Sequence, residues 1–114
     1  MVNTTFDKTR LAGLVSNNTV ELDPNTQIPM SIEYAILTNV SPSTATVNLK
    51  LKKAELLNLT YYVMPQNIQI ASGDSIEFTD PRVMMPRDKM YLISDHSVDY
   101  YFNFIGHQWT ARQG

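Results

Sequence analysis

The sequence predicts an all-β protein that folds as a single antiparallel β-sandwich, and three observations support this class. Several runs alternate apolar and polar residues with a period of two, which is typical of half-buried strands. Turn-forming residues recur at intervals of about eight to twelve positions and divide the chain into roughly seven or eight short strands. The one helix-leaning piece, residues 53–58, is too short to form a stable helix alone. An immunoglobulin-like sandwich and a jelly roll both remain open, because the pattern does not specify strand order.

Two neighbouring runs give the clearest strand predictions. Residues 44–52 alternate almost without exception, and their predicted inward face consists of Val47, Leu49 and Leu51. Residues 30–40 also alternate, and we expect this strand to pack mainly through the face that carries Ile32, Tyr34, Ile36, Thr38 and Val40. Because only a short segment containing Pro42 connects the two runs, the sequence predicts that they pair as an antiparallel hairpin.

The predicted last strand, residues 98–105, is apolar on both faces. One face carries Val98, Tyr100, Phe102 and Phe104, and the other carries Asp99, Tyr101, Asn103 and Ile105. The second face is covered either by a loop of the same domain or by another subunit. Since aromatic residues are enriched in the cores of protein interfaces, the candidate interface residues are Tyr62, Tyr101, Ile105 and Trp109. Exposed tyrosines that stack on sugar rings would instead indicate a carbohydrate-binding module.

The chain of 114 residues is long enough for one domain with one core. We expect an N-terminal arm over residues 1–15, which are polar and weakly patterned, followed by a β-sandwich over residues 16–106 and a C-terminal tail over residues 107–114. The sequence shows no internal repeat and no low-complexity linker.

Composition and charge argue against several classes of partner. The net charge of −2 provides no basic field for a nucleic acid backbone. The N-terminal residues lack the pattern of a secretory signal peptide, and no apolar run is long enough for a membrane span, so we expect no membrane partner. Cysteine is absent, which removes disulfides, thiolate metal ligands and a cysteine nucleophile from consideration.

The remaining polar residues do not form a recognisable catalytic or metal-binding motif. His96 and His107 are far apart in the sequence, whereas a zinc site needs three or four converging ligands. Asp74 follows a glycine and Asp80 precedes a proline, so turn formation accounts for both. No nucleophile elbow, P-loop or dinucleotide fingerprint is present. The sequence therefore predicts no catalytic residue, no metal site and no cofactor.

The order of strands and turns from residue 30 to residue 106 resembles a group of small virion proteins of tailed bacteriophages. Four pieces carry the resemblance: N-V-S-P-S-T-A-T-V at 39–47, I-Q-I-A-S-G-D-S-I-E at 68–77, R-D-K-M-Y-L at 87–92 and S-V-D-Y-Y at 97–101. The glycine that usually precedes the second piece in that group is absent, since Met64, Pro65 and Gln66 stand there.

This resemblance implies a β-sandwich with a structural, non-enzymatic role in a phage particle. The expected role is that of a capsid decoration or cement subunit, or of a neck or tail-associated protein. The implied partners are other virion proteins and further copies of the same chain. The implied location is the virion, assembled in the host cytoplasm.

Overall fold

The computed structural model describes residues 8–23, 28–54 and 59–107. Within these ranges the chain forms nine β-strands and no α-helix, in agreement with the predicted fold class. The strands are β1 (Lys8–Val15), β2 (Asn18–Leu22), β3 (Met30–Asn39), β4 (Ala45–Lys53), β5 (Leu59–Tyr62), β6 (Ile68–Ile70), β7 (Ser75–Met84), β8 (Lys89–Ser94) and β9 (Val98–Gly106).

The strands form two antiparallel sheets that pack face to face. The first sheet has the order β1-β9-β3-β7, and the second has the order β2-β8-β4-β5, with β6 also paired to β4. The first strand thus pairs with the last, the second with the second-last and the third with the third-last. The chain is a long hairpin that turns back after β4 and wraps around the core. This is the topology of a jelly roll, which resolves the alternative that the sequence left open.

The prediction that residues 30–40 and 44–53 pair as a hairpin is wrong, because β3 and β4 lie in opposite sheets. The short connection crosses the sandwich instead of reversing within one sheet. The fully buried side chain of Asn39 holds this crossing in place. Its Nδ2 donates to the carbonyl oxygens of Ser43 (2.7 Å) and Ile70 (2.8 Å), and its Oδ1 accepts from the backbone N–H of Ser41 (2.8 Å).

The sandwich includes residues that the sequence assigned to an N-terminal arm. β1 pairs with β9 over its whole length, from Lys8 opposite Ile105 to Val15 opposite Val98, and forms an edge of the first sheet. The predicted boundary between residues 15 and 16 therefore divides the fold after its first strand. Residues 1–7, the rest of the predicted arm, and residues 108–114 of the predicted tail lie outside the described residues.

The core between the sheets confirms the inward faces predicted for two strands. Val47, Leu49 and Leu51 of β4 are buried from the second sheet. Phe102 and Phe104 of β9 are fully buried from the first sheet, with ring centroids 5.9 Å apart. Burial of the apolar faces of both sheets supplies the main favourable term in folding and leaves two outward faces, whose compositions differ.

Candidate functional site

The outer face of the first sheet concentrates exposed apolar side chains. Five large hydrophobic residues of the described ranges are well exposed, and three of them lie on this face: Leu14 of β1 (53% exposed), Tyr34 of β3 (37%) and Val40 directly after β3 (51%). The half-buried Ile36, Tyr101 and Ile105 and the exposed Ala12 lie on the same face, and the polar Asp99 and Thr38 lie between Leu14 and Val40. We call this set the apolar face; it consists of Ala12, Leu14, Tyr34, Ile36, Val40, Tyr101 and Ile105.

A β-bulge in β3 creates the apolar face. Ile32 pairs with Phe104 and Tyr34 pairs with Asn103, so that one extra residue, Glu33, is inserted into β3 relative to β9. The bulge reverses the alternation of inward and outward side chains. Ile32 is buried before the bulge, whereas Ala35, Leu37 and Asn39 are buried after it. The predicted inward face of β3 is therefore wrong beyond Ile32: Tyr34, Ile36, Thr38 and Val40 lie on the outer face.

Two tyrosines form the centre of the apolar face. The rings of Tyr34 and Tyr101 lie with centroids 6.3 Å apart and tilted by 56°, a favourable arrangement for an aromatic pair. The Tyr34 hydroxyl donates a hydrogen bond of 3.2 Å to Oε2 of Glu77. Partial desolvation, and then this hydrogen bond, raise the pKa of Tyr34 above its usual value.

Polar groups surround the apolar centre. Arg10 lies on β1, Asp99 on β9 and Glu77 on β7, all on the outer side of the sheet. Nδ2 of Asn103 donates to Oε1 of Glu33 at 2.7 Å, which joins the bulge to the neighbouring strand. An apolar and aromatic centre with a polar rim is the usual organisation of a protein–protein interface.

The structure brings together two of the four candidate interface residues. Tyr101 and Ile105 both lie on the apolar face. Tyr62 lies on the outer face of the second sheet, where the Lys50 ammonium is 5.3 Å from the centre of its ring. Trp109 lies outside the described residues. Sequence reasoning missed Leu14, Tyr34, Ile36 and Val40, because it placed Leu14 in the arm and the other three in the core.

The outer face of the second sheet is more polar. It carries a shallow groove of about 310 Å³, lined by Asn17, Asn18, Thr19, Thr46, Asn48, Ile93, Ser94 and Asp95. Several of the polar groups that line the groove already bond to protein atoms. Asn48 exchanges two hydrogen bonds with Asn67, and Oδ1 of Asp95 accepts from the backbone N–H of Thr46 at 2.8 Å. The Thr46 hydrogen bond, and then that of His96, lower the pKa of Asp95.

The other close pairs of ionisable groups bond to each other and to nearby backbone. Nζ of Lys53 lies 2.6 Å from Oδ2 of Asp88, and both side chains are almost completely buried. Arg82 pairs with Asp80 at 2.8 Å within β7. The described ranges contain no group of three or more His, Cys, Asp or Glu residues placed to hold a metal ion. They also contain no helix that is long and apolar enough to cross a membrane.

No protein-family model matches this sequence, and the curated proteins give no match either. Among solved structures, the chain is similar to the nucleoplasmin-like N-terminal domain of Drosophila FKBP39, with a TM-score of 0.51 and 6% identity over 93% of this chain and 95% of that chain. This likeness shows a shared fold.

Lower similarity is found to two structures of infectious bursal disease virus. The structure of the Gx strain gives a TM-score of 0.47 at 9% identity over 90% of this chain, and the VP2 subviral particle gives 0.45 at 9% over 89%. The chain spans 32% and 30% of those two viral chains, respectively.

Proposed function

We propose that this chain is a non-enzymatic structural subunit of a tailed-phage particle, in a capsid decoration, neck or tail-associated position. It joins neighbouring subunits through the apolar face of the first sheet. The single observation that carries this proposal is the exposure of Leu14, Tyr34 and Val40 on the same outer face as the Tyr34–Tyr101 pair. Several exposed apolar side chains on one sheet face mark an interaction site, because monomeric proteins rarely leave large apolar patches open to water.

Two further considerations support the particle role. Jelly rolls are a common fold of viral capsid domains, although a fold alone does not define a function. The residues that carry the resemblance to tailed-phage virion proteins lie largely on the strands and turns of this sandwich, from β3 to β9. The polar second sheet suits the side of a subunit that faces solvent.

The test compares purified particles of the encoding phage with particles from a strain that lacks the gene. Mass spectrometry should detect the chain in the first and not in the second, and added wild-type protein should co-sediment with the deficient particles. Leu14→Arg places a charge on the apolar face and should abolish co-sedimentation. Thr19→Arg, at an exposed position on the second sheet, is the matched control and should bind as the wild type does. Absence of the chain from purified particles would contradict the proposal.

A carbohydrate-binding module is the second candidate, favoured by the groove on the second sheet. Amide and hydroxyl side chains line it beside Ile93, and its volume is near the lower end for small-molecule sites. It ranks second because Asn48 and Asp95 already use hydrogen-bonding capacity on protein partners. In a glycan array and in calorimetric titration, this candidate requires that Thr19→Arg abolish binding and that Leu14→Arg retain it, the reverse of the pattern expected for the particle role.

A further inference from the structure

Charged side chains are distributed unevenly across the outer face of the first sheet. Arg10 provides a positive charge on β1, at one edge of the sheet, whereas Glu77 provides a negative charge on β7, at the opposite edge. The two strands between them carry only acidic outward charges, from Glu33 and Asp99. Arg10 is exposed and forms no ion pair with any residue of the described ranges.

We propose that the partner of the apolar face is a second copy of this chain, related by a two-fold axis that runs parallel to the strands between β9 and β3. This inference rests on the proposed function and names the neighbour that the apolar face contacts. A two-fold contact uses the same patch on both subunits. Rotation about this axis lays β1 of one subunit over the partner's β7, so Arg10 faces the edge that carries the partner's Glu77, and the same contact occurs twice.

The charge pattern selects this axis over the other simple arrangement. A two-fold axis in the plane of the interface but perpendicular to the strands would lay β1 over the partner's β1 and β7 over the partner's β7. The edge that carries Arg10 would then face the partner's Arg10, and the edge that carries Glu77 would face the partner's Glu77. Placing like charges against each other at an interface is strongly unfavourable. The parallel axis brings opposite charges together at both edges.

The apolar centre lies where the proposed axis passes. Ile36 and Tyr101 are register partners on the two central strands, next to Tyr34. In the dimer these side chains pack against the partner's equivalent side chains, as the inner faces of two sheets do when they pack about 10 Å apart. The result is a four-layered assembly in which the Tyr34–Tyr101 pair becomes part of a shared core.

The size of the sheet limits the area that this contact can bury. Four strands spaced about 4.8 Å apart and nine residues rising about 3.3 Å each cover roughly 19 by 30 Å, or about 600 Å² per subunit. Two such faces bury about 1,200 Å² in total, at the lower limit of specific, stable interfaces. We therefore expect a dimer that dissociates on dilution rather than an obligate one.

Charge reversal tests the proposed axis directly. The mass of the full-length chain is measured by light scattering and sedimentation across a concentration series up to about 100 µM, a range suited to a small interface. The wild type should form a dimer. Arg10→Glu and Glu77→Arg should each be monomeric at concentrations where the wild type is dimeric. An equimolar mixture of the two variants should restore a dimer, since each of its two edge contacts then joins opposite charges.

A matched control guards against effects of misfolding. Glu21→Arg reverses an exposed charge on β2, in the second sheet, and should leave the dimer intact. Circular dichroism and thermal melting of all variants show whether each is folded; both test positions are exposed, so we expect wild-type spectra. The proposed axis would be overturned if Arg10→Glu and Glu77→Arg each remained dimeric alone, or if their equimolar mixture stayed monomeric.

The outcome also separates this inference from the proposed function. A wild-type chain that is monomeric at all concentrations but binds deficient particles in a Leu14-dependent manner would refute the second copy and retain the particle role. In that case the apolar face contacts a different virion protein. If the charge-reversal variants dissociate and re-associate as expected but the chain is absent from purified particles, the symmetric contact is supported and the particle role is refuted.

Discussion

The buried ion pair between Lys53 and Asp88 gives the sharpest test of what holds this sandwich together. Lys53 is the last residue of β4, and its Nζ also donates to the carbonyl oxygen of Val83 at 3.2 Å. The Asp88 carboxylate accepts from Nζ at 2.6 Å and from the backbone N–H groups of Ala54 and Met85, each at 2.9 Å. The side chains are 11% and 1% exposed, so water screens the pair very little.

Replacing Asp88 with Asn removes the negative charge and leaves the Lys53 ammonium buried without its counter-ion. Breaking one side of a buried pair typically destabilises a protein by about 3–5 kcal/mol. Because most single domains have a total stability of only about 5–15 kcal/mol, this is a large fraction of the whole. A loss of about 3 kcal/mol corresponds to a decrease in Tm of roughly 10–20 °C for a domain of this length.

The assay is chemical denaturation of the wild type, Asp88→Asn, Lys53→Met and the double variant. The double variant should lose less than the sum of the single losses, with a coupling energy of about 2 kcal/mol, because neither charge is then left unpaired. A loss below about 1 kcal/mol for Asp88→Asn, or additive losses, would refute the argument that the pair is a buried structural unit.

The same pair predicts a pH dependence. Burial by itself raises the pKa of Asp88, but hydrogen bonds from Lys53 and from the backbone N–H groups of Met85 and Ala54 together outweigh it and lower the pKa. The stability that Asp88 contributes is therefore fully present above its unfolded-state pKa of about 3.9 and is lost as the pH falls through the lower folded-state value. The difference in unfolding free energy between wild type and Asp88→Asn should decrease over that acidic range; a constant difference would contradict the assignment.

Three further predictions follow from other parts of the fold. A Cβ at Gly13 would lie 2.6 Å from the Tyr100 hydroxyl oxygen and 2.9 Å from Cζ of the same ring. Gly13→Val should therefore lower the free energy of unfolding by about 1–3 kcal/mol in chemical denaturation, and adding Tyr100→Leu should restore part of that loss. A double variant that restores none of it would show that the clash with Tyr100 is not the cause. Asn39→Leu leaves the buried partners of its amide unsatisfied and should cost about 2–3 kcal/mol, whereas a loss under about 0.5 kcal/mol would show that the loop rearranges freely. The Thr46 hydrogen bond lowers the pKa of Asp95. Any difference in unfolding free energy between wild type and Asp95→Asn should therefore be present near pH 7 and vanish as the pH falls below the usual carboxyl range. A difference that grows on acidification would contradict the lowered pKa.

Local alternation predicted the fold class and most of the strands correctly. The inward faces of β4 and β9 follow directly from the period of two, since these strands contain no irregularity inside the alternating run. The topology could not be read in the same way. The residues around Pro42 are equally compatible with a turn inside one sheet and with a crossing between sheets. The buried Asn39 side chain, which fixes the crossing, depends on a carbonyl group at Ile70, far away in the sequence.

The candidate interface was predictable only in part. Tyr101 and Ile105 were assigned to it because the regular alternation of β9 leaves them opposite a face that must be buried. Tyr34 was assigned to the core because nothing in the local sequence marks Glu33 as the extra residue of a bulge. Leu14 was assigned to an arm because β1 is weakly patterned and becomes a strand through its pairing with β9.

The sequence by itself determined the all-β class and the positions of the regular strands. These properties depend on neighbouring residues, whose side chains alternate along a strand whatever the strand pairs with. Only the tertiary structure decided the jelly-roll order, the reversal of β3 at its bulge and the collection of Leu14, Tyr34 and Val40 on one outer face. Each of these depends on contacts between strands that are distant in the chain, and a pattern of local periodicity carries no information about which strands will meet.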